Sequence, residues 1–236
     1  MAIIISGKNA VLKTLKANRK TFELYITKNH KSDALDLARS KSIKIKEVDK
    51  PFLEGMAGHS NQGIAAKVEN YQLLTIEEAL KKEQKNKVFL MLDQIEDPHN
   101  LGAILRSCDA FNVDAVIIPK RRSASLNQTV AKVSTGAIEH VDVVEVTNLN
   151  QTIDTLKQNG FWIVGTMMET EQTIHDIDVD TNLCVVIGNE GKGMSRLVTK
   201  NCDYTVKIPM GGHVNSLNAS VSTAIVLYEI FHKKGM

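Results

Sequence analysis

From Val88 onward the chain repeats one pattern: a short apolar run, then a helical or polar stretch. The runs Val88–Leu92, Ala115–Ile118, Val141–Val146, Phe161–Val164, Leu183–Ile187 and Tyr204–Ile208 have the length of strands. They are almost continuously apolar instead of alternating, as strands buried on both faces must be. Between them, Leu101, Ile104, Leu105 and Cys108 follow the i, i+3, i+4, i+7 spacing of one helix face. Leu149, Ile153 and Leu156 do the same ahead of Gly160, a natural helix stop. A last helix carries Leu217, Val221, Ala224, Ile225, Tyr228 and Phe231 on one side. Such alternation predicts an α/β fold with a parallel sheet covered by helices.

The first seventy residues read differently. Phe22–Thr27 and Ser42–Val48 show the period-2 pattern of half-buried strands, with a helix over Ser32–Ser40 between them and a closing strand at Gly63–Val68. We therefore expect a small α/β domain over residues 1–70 and a charged linker or short exposed helix over 71–87. The larger domain then spans 88–236. Residues 1–68 hold 13 Lys and Arg against 6 Asp and Glu, while the remainder holds 16 against 21. A net +2 thus conceals a basic first domain, which suits a polyanionic partner. Aromatics are few there, so recognition would rest on shape and phosphate and not on stacking.

Composition excludes several classes. No apolar run approaches the ~20 residues of a membrane span, and the start lacks the basic and hydrophobic regions of a signal peptide. Cys108, Cys184 and Cys202 are far apart without a Cys-x-x-Cys, and no histidine pair has zinc-ligand spacing. The expectation is a cytoplasmic protein without disulfide or metal.

Ligands of parallel sheets sit beyond the carboxyl ends of the strands, and three turns there are polar and glycine-marked. The first is Asp97–Ser107, where Asn100 is placed to cap a helix and Arg106 lies about 150° from the apolar stripe at 100° per residue. The second, Val186–Ser195, has three glycines in six residues, which allow close backbone approach to a ligand. It is neither a Walker loop, because Lys192 precedes Gly193, nor a Gly-x-Gly-x-x-Gly fingerprint. Its Glu190 would repel phosphate and accept a cationic group such as a sulfonium. The third, Ile208–Ser220, crowds Asn215, Ser216 and Asn218 at one helix start, where a single cap suffices. No Gly-x-Ser-x-Gly elbow is present, so serine-hydrolase chemistry is excluded.

In this order the turns closely resemble the SpoU branch of the SPOUT methyltransferases, the RNA ribose 2′-O-methyltransferases. The resemblance lies in Asn100–Arg106, in Ile187–Gly191, and in Ile208–Met210 with Ser216–Ser220, and covers residues 88–233. Lys120–Asn127 and the strand ending Gly165-Thr166 are similar to the bacterial ribosomal-RNA subgroup. Residues 1–68 resemble that subgroup's extra domain, a ribosomal-protein-like RNA binder.

The resemblance implies a C-terminal trefoil knot, S-adenosylmethionine as cofactor and a homodimer. It implies methylation of a ribose 2′-hydroxyl, of a guanosine in large-subunit ribosomal RNA. Transfer RNA as substrate, or a non-catalytic RNA-binding relative, are the alternatives. By the same resemblance Thr166, Gly188, Ile208, Met210 and Leu217 line the cofactor pocket. Asn100, Arg106, Glu190, Ser216 and Asn218 form the catalytic and RNA-facing cluster. A guanidinium is a poor proton acceptor near neutral pH, so Arg106 is expected to hold RNA phosphate or stabilise alkoxide charge.

Overall fold

Residues 2–214 and 216–235 are described by the structure, a computed structural model. Asn215, one of the three polar residues before the last helix, lies outside them. In chain order the first elements are β1 (Ala2–Ser6), α1 (Lys8–Lys16), β2 (Thr21–Thr27), α2 (Asp33–Ser40), β3 (Ile45–Val48), α3 (Lys50–Ala57) and β4 (Ile64–Glu69). There follow α4 (Ile76–Leu80), β5 (Val88–Leu92), α5 (Pro98–Ala110), β6 (Ala115–Pro119), α6 (Gln128–Val133), β7 (Val143–Val146) and α7 (Leu149–Gln158). The chain ends with β8 (Phe161–Thr166), β9 (Asn182–Ile187), α8 (Arg196–Asn201), β10 (Tyr204–Val206) and α9 (Ala219–Lys233). None of the described helices is long and apolar enough to cross a membrane.

Contacts divide the chain into two units: residues 1–72 with 125–140, and residues 73–124 with 141–236. The first is a mixed four-stranded sheet in the order β1-β4-β2-β3, antiparallel except for β2 and β3. Ser32 caps α2 by accepting from the Leu35 amide, and Asp49 caps α3 by accepting from Phe52, with Pro51 in the first turn. The segment 125–140, which follows β6 in sequence, is fastened here. Gln128 Nε2 donates to Ser6 Oγ and to the Ala57 carbonyl, each at 2.9 Å. Arg19 Nε donates to Glu139 Oε2 at 2.8 Å, Thr14 Oγ1 to Glu139 Oε1 at 2.8 Å, and the Arg19 guanidinium lies 3.7 Å from the Tyr71 ring centroid.

The second unit is the parallel sheet expected from the apolar runs, six strands in the order β10-β8-β9-β5-β6-β7. One face carries Phe89, Met91, Ile117, Ile163 and Val186 against Leu149, Ile153 and Leu156 of α7 and Val198 of α8. The alternate residues Leu90, Leu92, Val116, Val164 and Val185 are equally buried, so neither face meets water. The chain runs outward through β6 and β7, crosses to β8, then inserts β9 between β8 and β5. This reversal of strand order brings the ends of β5, β8, β9 and β10 together, the place where open parallel sheets hold ligands.

Two helices depart from the sequence reading. In α5 the cap is Asp97, which accepts from the His99 amide; Asn100 is inside the first turn and its side chain is free for another role. In α9 the buried face is Ala219, Thr223, Val226, Leu227 and Ile230, whereas Val221 and Tyr228 of the expected stripe are 46% and 55% exposed. The helix is apolar on more than one side, and periodicity does not say which side its own sheet takes.

Candidate active site

The second glycine-marked turn is held by its own side chains. Asn189 pairs with Gly193 backbone to backbone in both directions, at 3.1 and 2.8 Å. Its Oδ1 accepts from Gly191 N at 3.0 Å and its Nδ2 donates to the Gln94 carbonyl at 3.1 Å. Asp93, at the end of β5, accepts from Ser195 N at 2.6 Å. The folded-back loop passes so close to Gly188 that a Cβ there would stand 2.2 Å from Met194 N. Only glycine fits, and the approach is to backbone that no rotamer can clear.

This loop forms one wall of a cavity of about 930 Å³, within the size range of small-molecule sites. Thr166 at the end of β8, Gly188 after β9, and Ile208 and Met210 after β10 line it together with Leu217. Thr166 Oγ1 donates to the Val186 carbonyl at 3.0 Å, which ties the ends of β8 and β9. Ser216 and Glu190 lie on the same cavity. All five residues expected around a cofactor are thus on one cavity, with Ser216 and Glu190 beside them.

At its rim three side chains join residues far apart in sequence. Asn100 Nδ2 donates to Glu190 Oε1 at 2.8 Å, Asn218 Nδ2 donates to Asn100 Oδ1 at 3.0 Å and also to Glu190 Oε1, and Ala219 N donates to that same oxygen at 3.1 Å. Asn218 is at the same time the cap of α9, its Oδ1 accepting from Ser220 N at 2.9 Å. One asparagine therefore does two jobs: its oxygen starts the helix and its amide binds the carboxylate.

Arg106 is placed apart from this network. It is exposed on α5, six residues beyond Asn100, and makes no hydrogen bond or ion pair among the described residues. Asn189, Asp93 and Met194 shape the site and were not singled out from the sequence. Glycine spacing signals the loop, but which side chains brace it depends on contacts about a hundred residues apart.

S-adenosylmethionine suits the cavity. Gly188 lets the loop fold back tightly and form the cavity wall, Met194, Ile208 and Leu217 make that wall apolar, and Glu190 favours a cation at the rim. A six-stranded parallel sheet whose reversed strand order creates such a cavity, rimmed by amide and carboxylate side chains, defines an α/β protein with a small-molecule site at the carboxyl ends of its strands.

Comparison with known proteins supplies the family. The model of the SpoU rRNA Methylase family matches residues 87–228, and that of RNA 2′-O ribose methyltransferase substrate binding matches residues 4–74. A Staphylococcus epidermidis protein described as a TrmH family tRNA/rRNA methyltransferase is 48% identical, covering 98% of this chain and 96% of its own. The SpoU methyltransferase AviRb of Streptomyces viridochromogenes, solved with AdoMet, superposes with a TM-score of 0.86 at 22% identity, over 99% of this chain and 90% of that one. The A. aeolicus TrmH/SpoU tRNA modifying enzyme reaches 0.58 at 31% identity, over 67% of this chain and 80% of that one. The chain belongs to the SpoU family, as an S-adenosylmethionine-dependent RNA 2′-O-ribose methyltransferase.

Proposed function

We propose that this enzyme methylates a ribose 2′-hydroxyl of a guanosine in large-subunit ribosomal RNA, with Asn100, Glu190 and Asn218 at the reacting end of the cavity. The observation that carries the reading is the hydrogen-bonded junction of these three side chains. When bound, the cofactor supplies an electrophilic methyl group on a sulfonium. Thr166, Gly188, Ile208, Met210 and Leu217 enclose it, and Ser216 completes the cavity edge beside Glu190. The protein's work is then alignment, for which effective-molarity arguments allow large accelerations. Arg106, unpaired among the described residues and exposed on the helix that carries Asn100, holds an RNA phosphate or the developing 2′-alkoxide; the proton leaves to water or a neighbouring group.

Ribosomal RNA is favoured by the basic first domain, residues 1–70, acting as the RNA-docking module, with 71–87 leading into the catalytic domain 88–236, of which the segment 125–140 is built into the first unit. A tRNA enzyme such as that of A. aeolicus matches 67% of the chain and leaves a remainder about the size of that module. The insertion of β9 between β8 and β5 late in the chain supports a C-terminal trefoil knot. The exposed apolar side of α9, with Val221 and Tyr228, supports a homodimer. We place the enzyme in the cytoplasm, where its RNA substrate is.

Arg106→Ala tests the assignment. Methyl transfer to ribosomal RNA should fall by at least about a hundredfold, as for loss of one charge-stabilising donor. Calorimetric affinity for S-adenosylmethionine should stay within about twofold. Equal loss of both would contradict the assignment, and labelling of transfer RNA alone by the wild type would overturn the substrate.

A further inference from the structure

A second, smaller cleft of about 230 Å³ opens beyond the carboxyl ends of β5, β6 and β7, lined by Asp93, Gln94, Arg121, Arg122, Asn148 and Ser195. None of these residues belongs to the lining of the cofactor cavity. Its charges are arranged in depth. Asp93 is 4% exposed; its Oδ2 is taken by Ser195 N, while its Oδ1 has no hydrogen bond among the described residues. Arg121 and Arg122 are exposed above it, and neither guanidinium has a hydrogen bond or ion pair among the described residues.

The backbone is strained at two of these positions. Arg122 has φ 57° and Gln94 has φ 63°, a left-handed conformation that long side chains seldom adopt. The turn is fixed from both sides, Lys120 N donating to the Val146 carbonyl at 2.8 Å and Ala124 N to the Ile95 carbonyl at 2.9 Å. Strain of this kind persists only where the surrounding structure fixes the backbone.

We propose that this cleft is a subsite for a second nucleotide of the RNA, flanking the methylated one. Asp93 Oδ1 would accept from an N–H of the base, and Arg121 and Arg122 would hold its phosphate. The ordering of charge decides among ligands. A bare phosphate would meet a carboxylate at the floor, and a simple cation would have to pass two guanidinium groups. A nucleotide presents base donors at one end and an anion at the other, and a base fits the cleft while its phosphate stays at the rim. Arginine pairs suit phosphate oxygens, and carboxylates suit base amino groups. The inference rests on RNA being the substrate.

The test uses the full chain with S-adenosylhomocysteine saturating the cofactor cavity. Saturation-transfer NMR and calorimetry are run with the four nucleoside 5′-monophosphates, their nucleosides and inorganic phosphate. At least one mononucleotide should bind without displacing S-adenosylhomocysteine. The double variant Arg121→Ala/Arg122→Ala should weaken it about tenfold or more, to the level of the nucleoside, as loss of charge-assisted contacts implies. Arg122→Gly, which relieves the positive φ, should match or exceed the wild type in thermal stability while still losing affinity. Asp93→Asn should change which base binds best. No mononucleotide binding, phosphate binding as tightly as the mononucleotide, displacement of S-adenosylhomocysteine, or unchanged binding in the arginine variants would each overturn the subsite. Binding of S-adenosylhomocysteine in the same titrations reports separately on the methyltransferase reading.

Discussion

Asn218 carries two functions that a single substitution can separate. Its Oδ1 caps α9 and its Nδ2 reaches Asn100 and Glu190. Serine is as good a cap as asparagine but has no amide to donate across that distance. Asn218→Ser should therefore leave urea stability within about 0.5 kcal/mol of the wild type, whereas Asn218→Ala should cost about 1 kcal/mol. Both should lower methyl transfer by at least about tenfold, since each drops a donor to the carboxylate. Full activity in the serine variant would reduce Asn218 to a helix cap. At this scale the sequence was informative where residue type and position coincide. Surplus hydrogen-bonding groups before α9 point beyond capping, and Asn218 Nδ2 makes bonds to Asn100 and Glu190 that a cap does not need. By contrast Asn100 looked like a cap because it stands near a helix start, and only the presence of Asp97 three residues earlier, with Pro98 between, releases it.

At the scale of elements, the loop after β9 and the strand pair of the first domain show how local sequence turns into rigid geometry. Gly188→Ala would place a methyl group 2.2 Å from Met194 N and 2.3 Å from the Gly193 carbonyl carbon. Because both are backbone, the hairpin closed by Asn189 and Gly193 must shift as a unit. We expect a folded protein whose calorimetric affinity for S-adenosylmethionine falls by at least about tenfold, on the order of the cost of moving the cavity wall. In the first domain, Glu23 on β2 is held by Lys46, Tyr25 and Lys44, which lower its pKa from 4.5 to about 2. A depressed carboxylate contributes stability above its unfolded pKa, and that contribution is lost as pH falls from about 4.5 towards 2. Glu23→Gln should accordingly flatten the acid side of the stability profile, measured as midpoint temperature between pH 5 and about 2.5, with little change in slope above pH 6. An unchanged acid limb would mean the pairing is broken in solution. Strand patterning locates β2 to within one residue and all of β3 with three residues too many at its start, but it does not pick out Ala2–Ser6. Its pairing with β4 joins residues about sixty apart in sequence and leaves no local mark.

For the molecule as a whole, the least legible feature is that residues 125–140 build into the first unit although they follow a strand of the second. Nothing in Gln128–Val133 distinguishes it from another crossover helix, and the ion pair that anchors its neighbourhood spans 120 residues. That pair is well buried, with side-chain exposures of 14% for Arg19 and 3% for Glu139. Removing one partner of a buried pair strands the other charge and costs about 3–5 kcal/mol. Arg19 keeps a hydrogen bond to the Glu69 carbonyl at 3.3 Å and its place over Tyr71, so Glu139→Ala should fall near the lower end. Its effect should be confined to one unit: the urea transition of the first unit moves to lower denaturant, while the affinity of the other unit for S-adenosylmethionine does not change. Replacing both partners, Arg19→Met with Glu139→Leu, should recover most of the loss, because a matched apolar pair leaves no buried charge behind. Were Glu139→Ala neutral, the segment 125–140 would not be bound into the first unit in solution. A peptide of residues 1–74, which contains the substrate-binding match at 4–74, should for the same reason be less stable than that unit within the full chain, since it lacks Gln128 and Glu139.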